Sequence, residues 1–219
     1  MRHRDRFGPL FPSGVLRCGM VPIDLSIDNR CFTSEVYGSL ERFTSFIDGH
    51  LRSHGAALAF GGYCERREMY ARSHVFDAGV GGDGPRRIHM GLDFWGEEGT
   101  PVLAPADGIL HSRAMNAAHG DYGATLVLRH DLEGFIFHTL YGHLSAIDLS
   151  REEGTPVRKG DLLARFGGPA ENGNWPPHLH LQVVIDMEGR MGDYAGVCSE
   201  ERLDFFRENC PDPNHVFSN

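Results

Sequence analysis

From Ile88 onward the sequence keeps a period of two. Ile88, Met90, Leu92 and Phe94 alternate with His89, Gly91, Asp93 and Trp95, placing one set of side chains on each face of an extended strand. Further strand-like stretches follow at 101–103, 108–112, 124–129, 135–141, 161–166 and 178–185, divided by Gly and Pro turns. Short strands in this arrangement specify a mainly β (α+β) fold, a compact antiparallel sheet domain that is barrel-like or sandwich-like.

The β region also repeats itself once. Glu98-Gly99-Thr100-Pro101-Val102 returns as Glu153-Gly154-Thr155-Pro156-Val157, each copy followed by a short Gly-containing turn and another strand. Two copies are too few for a solenoid. They read as two β hairpins of one shape facing each other across a core, as in biotinyl/lipoyl-type folds.

Ahead of Ile88 the period is helical. Val36, Leu40, Phe43, Ile47 and Leu51 recur at intervals of three and four over 34–54, with Ser34 as the expected cap and Gly55 as the stop. Residues 56–60 read as a strand, Gly61-Gly62 as a turn, 64–74 as a second short helix with Met69 and Tyr70 inward, and 79–85 as a Gly-rich loop. After Met187 the chain turns polar, with a short helix expected over 200–209 before Cys210-Pro211-Asp212-Pro213-Asn214. The expected division is a tail over 1–19, a mixed helical extension over 20–80 packed on the core, a β domain over 81–190 and a C-terminal tail over 191–219.

Composition removes several functions. Among 219 residues the net charge is -9, so there is no basic footprint for nucleic acid. No apolar run approaches the roughly 18 residues of a membrane span. The basic N-terminus is interrupted by Gly8, Pro9, Pro12 and Gly14, which makes a poor secretory signal; it reads as a flexible tail or an over-long start before Met20. The expected compartment is then cytoplasmic, or periplasmic or extracellular if the start is mis-called or export is non-standard. The five cysteines are scattered and form no Cys-x-x-Cys pair, which indicates free thiols.

Chemistry concentrates in three places. His89 and Asp93 lie four residues apart, about 13 Å along a straight strand, so they can share an ion only if Gly91 bends or bulges the chain. His178, His180 and Gln182 share one strand face, with Leu179, Leu181 and Val183 on the other; either imidazole or both can face one small volume. His143, after the apolar run Phe135-Ile136-Phe137, is expected to stay neutral near pH 7 and to suit proton transfer. Three N and O ligands with a fourth position open would make a catalytic rather than a structural zinc site.

In order and spacing these motifs resemble the lysostaphin/LytM-type zinc metalloendopeptidases. The resemblance covers about 88–186 and rests on His89-Met90-Gly91-Leu92-Asp93, Gly99-Thr100-Pro101-Val102 with Ala104-Pro105-Ala106-Asp107-Gly108, Tyr141-Gly142-His143-Leu144-Ser145, Lys159-Gly160-Asp161 and Pro177-His178-Leu179-His180. It implies that His89, Asp93 and His180 bind one zinc ion and that His143 and His178 are the catalytic pair. It also implies a groove over the metal, with peptide stems or cross-bridges of bacterial peptidoglycan as substrates. One departure is Gln182, where the family strand often carries Glu; the charge is lost but a hydrogen-bond partner remains.

The resulting expectation is a zinc-dependent endopeptidase that hydrolyses amide bonds with a metal-activated water. No His-Glu-x-x-His helix occurs, which excludes a thermolysin-type glutamate base. The alternatives are a non-catalytic LytM-like binding or regulatory module, a carrier or phosphotransfer domain on a similar duplicated hairpin, or a zinc amidohydrolase acting on a cytosolic peptide. Oligomeric state is left open.

Overall fold

The structure is a computed structural model that describes residues 6–77 and 83–214. The first five residues of the 1–19 tail, the last five of the C-terminal tail and most of the Gly-rich loop at 79–85 lie outside these ranges. Strands β1 (Met20–Pro22), β2 (Leu58–Gly61) and β3 (Glu65–Arg66) precede the alternating region. Then come β4 (Ile88–His89), β5 (Leu92–Trp95), β6 (Pro101–Leu103), β7 (Gly108–Asn116), β8 (Gly123–Leu132) and β9 (Phe135–Leu144). The last four are β10 (Pro156–Val157), β11 (Leu162–Arg165), β12 (His178–Val184) and β13 (Val197–Cys198).

Eight of these form one sheet in the order β1-β2-β5-β12-β9-β8-β7-β10. Its first two strands run parallel and the remaining neighbours antiparallel. β6 pairs with β11 in a small second sheet, and β13-β4-β3 form a third. The fold is mainly β and antiparallel, as the alternation requires.

The repeat is built differently from the two self-contained hairpins expected. The copies exchange partners: β6 of the first pairs with β11, which follows the second, while β10 of the second pairs with β7, which follows the first. The same bonds recur in both halves. Gly99 N donates to Phe166 O at 2.9 Å and Gly154 N to Leu110 O at 2.8 Å; in return Phe166 N reaches Thr100 O at 3.0 Å and Leu110 N reaches Thr155 O at 2.9 Å. Gly99 and Gly154 hold φ at 79° and 83°, a region costly for any residue with a Cβ, which explains the glycine in both copies.

Alternation along β12 sorts core from site. Leu179 and Leu181 pack with Leu92, Phe94, Val102, Leu110, Leu126 and Phe166 in the main core, so His178, His180 and Gln182 face the other way. The N-terminal residues cover that second face. A helix at Leu40–His54 buries Phe43 and Ile47 in a cluster with Ala59, Trp95 and Trp175.

Two helix expectations need correction. The helix read over 34–54 is split into Ser34–Tyr37 and Leu40–His54, because Ser39 is extended (φ -124°) and caps the second piece by accepting from Arg42 N at 3.4 Å. Gly55 terminates it at φ 61°, as expected. Residues read as a helix over 64–74 form β3 and 3-10 turns at Glu68–Arg72 and His74–Phe76, since pairing of β3 with β4 overrides helix propensity. Met69 and Tyr70 are nonetheless buried. No helix among the described residues is long and apolar enough to cross a membrane.

Candidate active site

β4 ends at His89 and β5 begins at Leu92, so the chain bends at Met90-Gly91. That bend folds a four-residue separation down to 3.2 Å between His89 Nε2 and Asp93 Oδ1. β12 runs beside β5 with His180 directly opposite Asp93, which sets His180 Nδ1 3.2 Å from Asp93 Oδ1 and 2.8 Å from His89 Nε2. Gly91 is required here for space rather than for unusual backbone angles, since its φ is not positive. A Cβ at Gly91 would run into the His180 ring and come within 2.8 Å of Leu181 O. Gly91→Ala should therefore displace His180 and weaken metal binding about 10-fold or more, measured by chelator competition.

Whether a metal fits can be judged from tautomers. His89 Nδ1 lies 2.9 Å from Gly62 O, a partner that can only accept, so the proton of the neutral ring is on Nδ1 and the lone pair is on Nε2. His180 Nε2 lies 2.9 Å from Gln182 Oε1, and the Gln182 amide is oriented by donating to Ala195 O and Cys210 Sγ, each at 3.1 Å. The free lone pair of the neutral His180 ring is then on Nδ1. Gln182 thus supplies the hydrogen bond expected of it without a charge.

Burial, the Arg67 charge and the His180 ring together push His89 down to about 4, against the pull of Asp93. Burial opposes ionisation of Asp93, but His89 and Arg67 hold its carboxyl well below the usual carboxylate range. His89 Nε2, His180 Nδ1 and an Asp93 carboxylate oxygen therefore converge, all three residues buried. Donors about 2.0–2.1 Å from a tetrahedral zinc lie roughly 3.3 Å from one another, close to the 2.8–3.2 Å seen here. The residues fit a small divalent cation.

His143 and His178 are stacked beside this group, with ring centroids 4.0 Å apart and an interplanar angle of 28°. His178 in turn stacks on Trp95 at 3.9 Å and 12°. Each ring donates from Nδ1 to a backbone carbonyl, His143 to Asn172 O and His178 to Pro176 O, both at 2.8 Å. The basic lone pair of each neutral ring is thereby fixed on Nε2. Burial pushes His178 down to about 4 and His143 well below its ordinary value, so both rings are neutral near pH 7. His143 holds φ at 62°, a left-handed conformation uncommon outside glycine and characteristic of constrained sites.

All five residues singled out in the sequence line one cleft. Its lining includes Met69, Tyr70, Val75 and Phe76 from the N-terminal residues, and the charged residues Arg86, Asp121, Arg190 and Asp193. Sequence reasoning missed Arg67, which pairs with Asp93, and Tyr122, whose hydroxyl lies 3.3 Å from His180 Nε2. It also missed the buried Asn172, whose amide donates to Gly167 O and Trp175 O while its own carbonyl holds His143.

A buried His/Asp/His group that could hold a cation thus lies beside two stacked imidazoles in this cleft. Residues 87–191 match the family model described as Peptidase family M23. An uncharacterized metalloprotease of Haemophilus influenzae is 36% identical over 128 residues, 54% of this chain and 25% of that protein. The DD-carboxypeptidase/endopeptidase Mpg of Neisseria meningitidis serogroup B is 37% identical over 100 residues, 46% of this chain and 21% of that protein. A zinc-containing peptidase from Vibrio cholerae is similar at 30% identity with a TM-score of 0.37, over 48% of this chain and 28% of that one. The matches therefore span about a fifth to a quarter of the length of these curated relatives.

Proposed function

We propose that the chain is a zinc-dependent endopeptidase that hydrolyses amide bonds, with peptide stems or cross-bridges of peptidoglycan as substrate. His89 Nε2, Asp93 Oδ1 and His180 Nδ1 would hold the ion, and His143 and His178 would handle protons. The observation that carries this reading is the convergence of His89 Nε2, Asp93 Oδ1 and His180 Nδ1, 2.8–3.2 Å apart, beside the stacked imidazoles of His143 and His178. Zinc held there would supply Lewis acidity, polarising a scissile carbonyl and lowering the pKa of water.

The chain's own residues do the rest. With Nδ1 committed to a carbonyl, His143 or His178 can take a proton only at Nε2, from the attacking water. Two rings 4.0 Å apart cannot both be cationic cheaply, so the pair carries one proton at a time and returns it to the leaving amine. Trp95 stacks on His178 and Trp175 lies edge-on to it, both buried, which restricts the ring's movement. The division into an extension over 20–80, a metallopeptidase domain over 81–190 and a tail over 191–219 belongs to the same proposal.

Purified protein should contain about one zinc per chain by elemental analysis. Incubation with peptidoglycan fragments should give products one water heavier in total, read by mass spectrometry, and a chelator should stop their formation. Metal-free protein with stability unchanged in chelator would instead point to a binding module.

A further inference from the structure

Asp93 turns only one oxygen toward the two imidazoles. Its other oxygen, Oδ2, accepts from Arg67 NH1 at 2.5 Å. Arg67 is 1% exposed, and a buried arginine persists only where its charge and donors are matched. Its Nε pairs with Glu65, whose carboxylate also accepts from Leu25 N at 3.2 Å, and NH1 lies 3.3 Å from the Tyr70 hydroxyl. Beside it Gly62 holds φ at 108° and gives its carbonyl to His89 Nδ1; a Cβ there would collide with the Arg67 guanidinium and meet His89 Nδ1 at 2.9 Å. Gly62, Glu65, Arg67 and Tyr70 all precede the segment 87–191 that matches the peptidase family.

We infer that Arg67 is a positioning residue of the metal centre, and that the stretch 62–70, outside the family segment, completes it. The inference rests on the proposed zinc site and adds who orients its ligands. A carboxylate free to rotate presents either oxygen or both. By occupying Oδ2, Arg67 leaves Oδ1 as the single donor, 3.2 Å from each imidazole nitrogen. Glu65 keeps the guanidinium from following any movement of Asp93, and the Gly62 carbonyl fixes the His89 ring in the same step. Two of the three ligands are thus set by a strand and turn that hold no ligand themselves, an arrangement in which outer partners govern affinity.

The test uses the full chain with Arg67→Met and Arg67→Lys, zinc affinity by chelator competition and the visible spectrum of the cobalt-substituted protein. Both variants should bind zinc about 10–100-fold more weakly. Their cobalt spectra should lose intensity as Asp93 becomes bidentate and coordination rises above four. Arg67→Lys keeps the charge and most of the buried stem, so it decides the matter should Arg67→Met fail to fold. Folded variants with wild-type affinity and an unchanged cobalt spectrum overturn the inference. A wild-type chain that takes up no zinc overturns the functional proposal along with it, whereas normal wild-type uptake with indifferent variants removes this inference alone.

Discussion

His143→Ala should lower kcat/KM on a cleavable peptide about 10²–10⁴-fold, the usual range for losing a general acid–base, while zinc content stays at the wild-type level. The two effects separate because His143 touches the ligand group only at a distance: its ring centroid is 6.4 Å from that of His180. What it does touch is His178, at 4.0 Å, and the Asn172 carbonyl. The choice of replacement matters, since residue 143 sits at φ 62°. Asparagine tolerates that conformation better than alanine, so His143→Asn should show the same loss of turnover with less loss of stability. Turnover and zinc content measured on one preparation decide the outcome. Full activity in either variant removes His143 from the proposed role.

Asp93→Ala should have the largest combined effect. It deletes the one anionic donor of the proposed cation site and strips the buried Arg67 of a partner at 2.5 Å. Leaving half of a buried ion pair costs about 3–5 kcal/mol, so the metal-free variant should also melt well below the metal-free wild type. Glu65 still pairs with Arg67, which places the expected loss toward the lower end. Asp93→Asn retains the shape and one acceptor, and should recover much of the stability but little of the zinc binding. Thermal melts in chelator, set beside zinc titrations, separate the two contributions. Equal melting temperatures for wild type and Asp93→Ala would show that the Asp93–Arg67 contact carries no structural weight.

Much of this site was legible because its spacing is local. A period of two over 178–182 forces both imidazoles of β12 onto one face, whatever the rest of the chain does. The bend between His89 and Asp93 was visible as a glycine, although its physical reason was not: the approach of His180 comes from a strand 87 residues away. Arg67 was hidden for a similar reason. In Glu65-Arg66-Arg67-Glu68 it reads as one of four solvated charges, and only the pairing of β3 with β4 buries it against Asp93. The split at Gly38-Ser39 was missed because the apolar period continues across it. The repeat was seen, but self-paired and exchanged hairpins share one local pattern, and only long-range register distinguishes them.

That exchange has a consequence for how the chain reaches its native state. Neither copy of the repeat can complete its ladder until the other has been synthesised, because β6 waits for β11 and β7 for β10. Contacts this distant in sequence slow the search and leave strand edges unsatisfied meanwhile. His178 and His180 lie on a strand that follows both copies in the chain and joins β5 to β9, so the sheet that presents them is closed only once the whole repeat has been made.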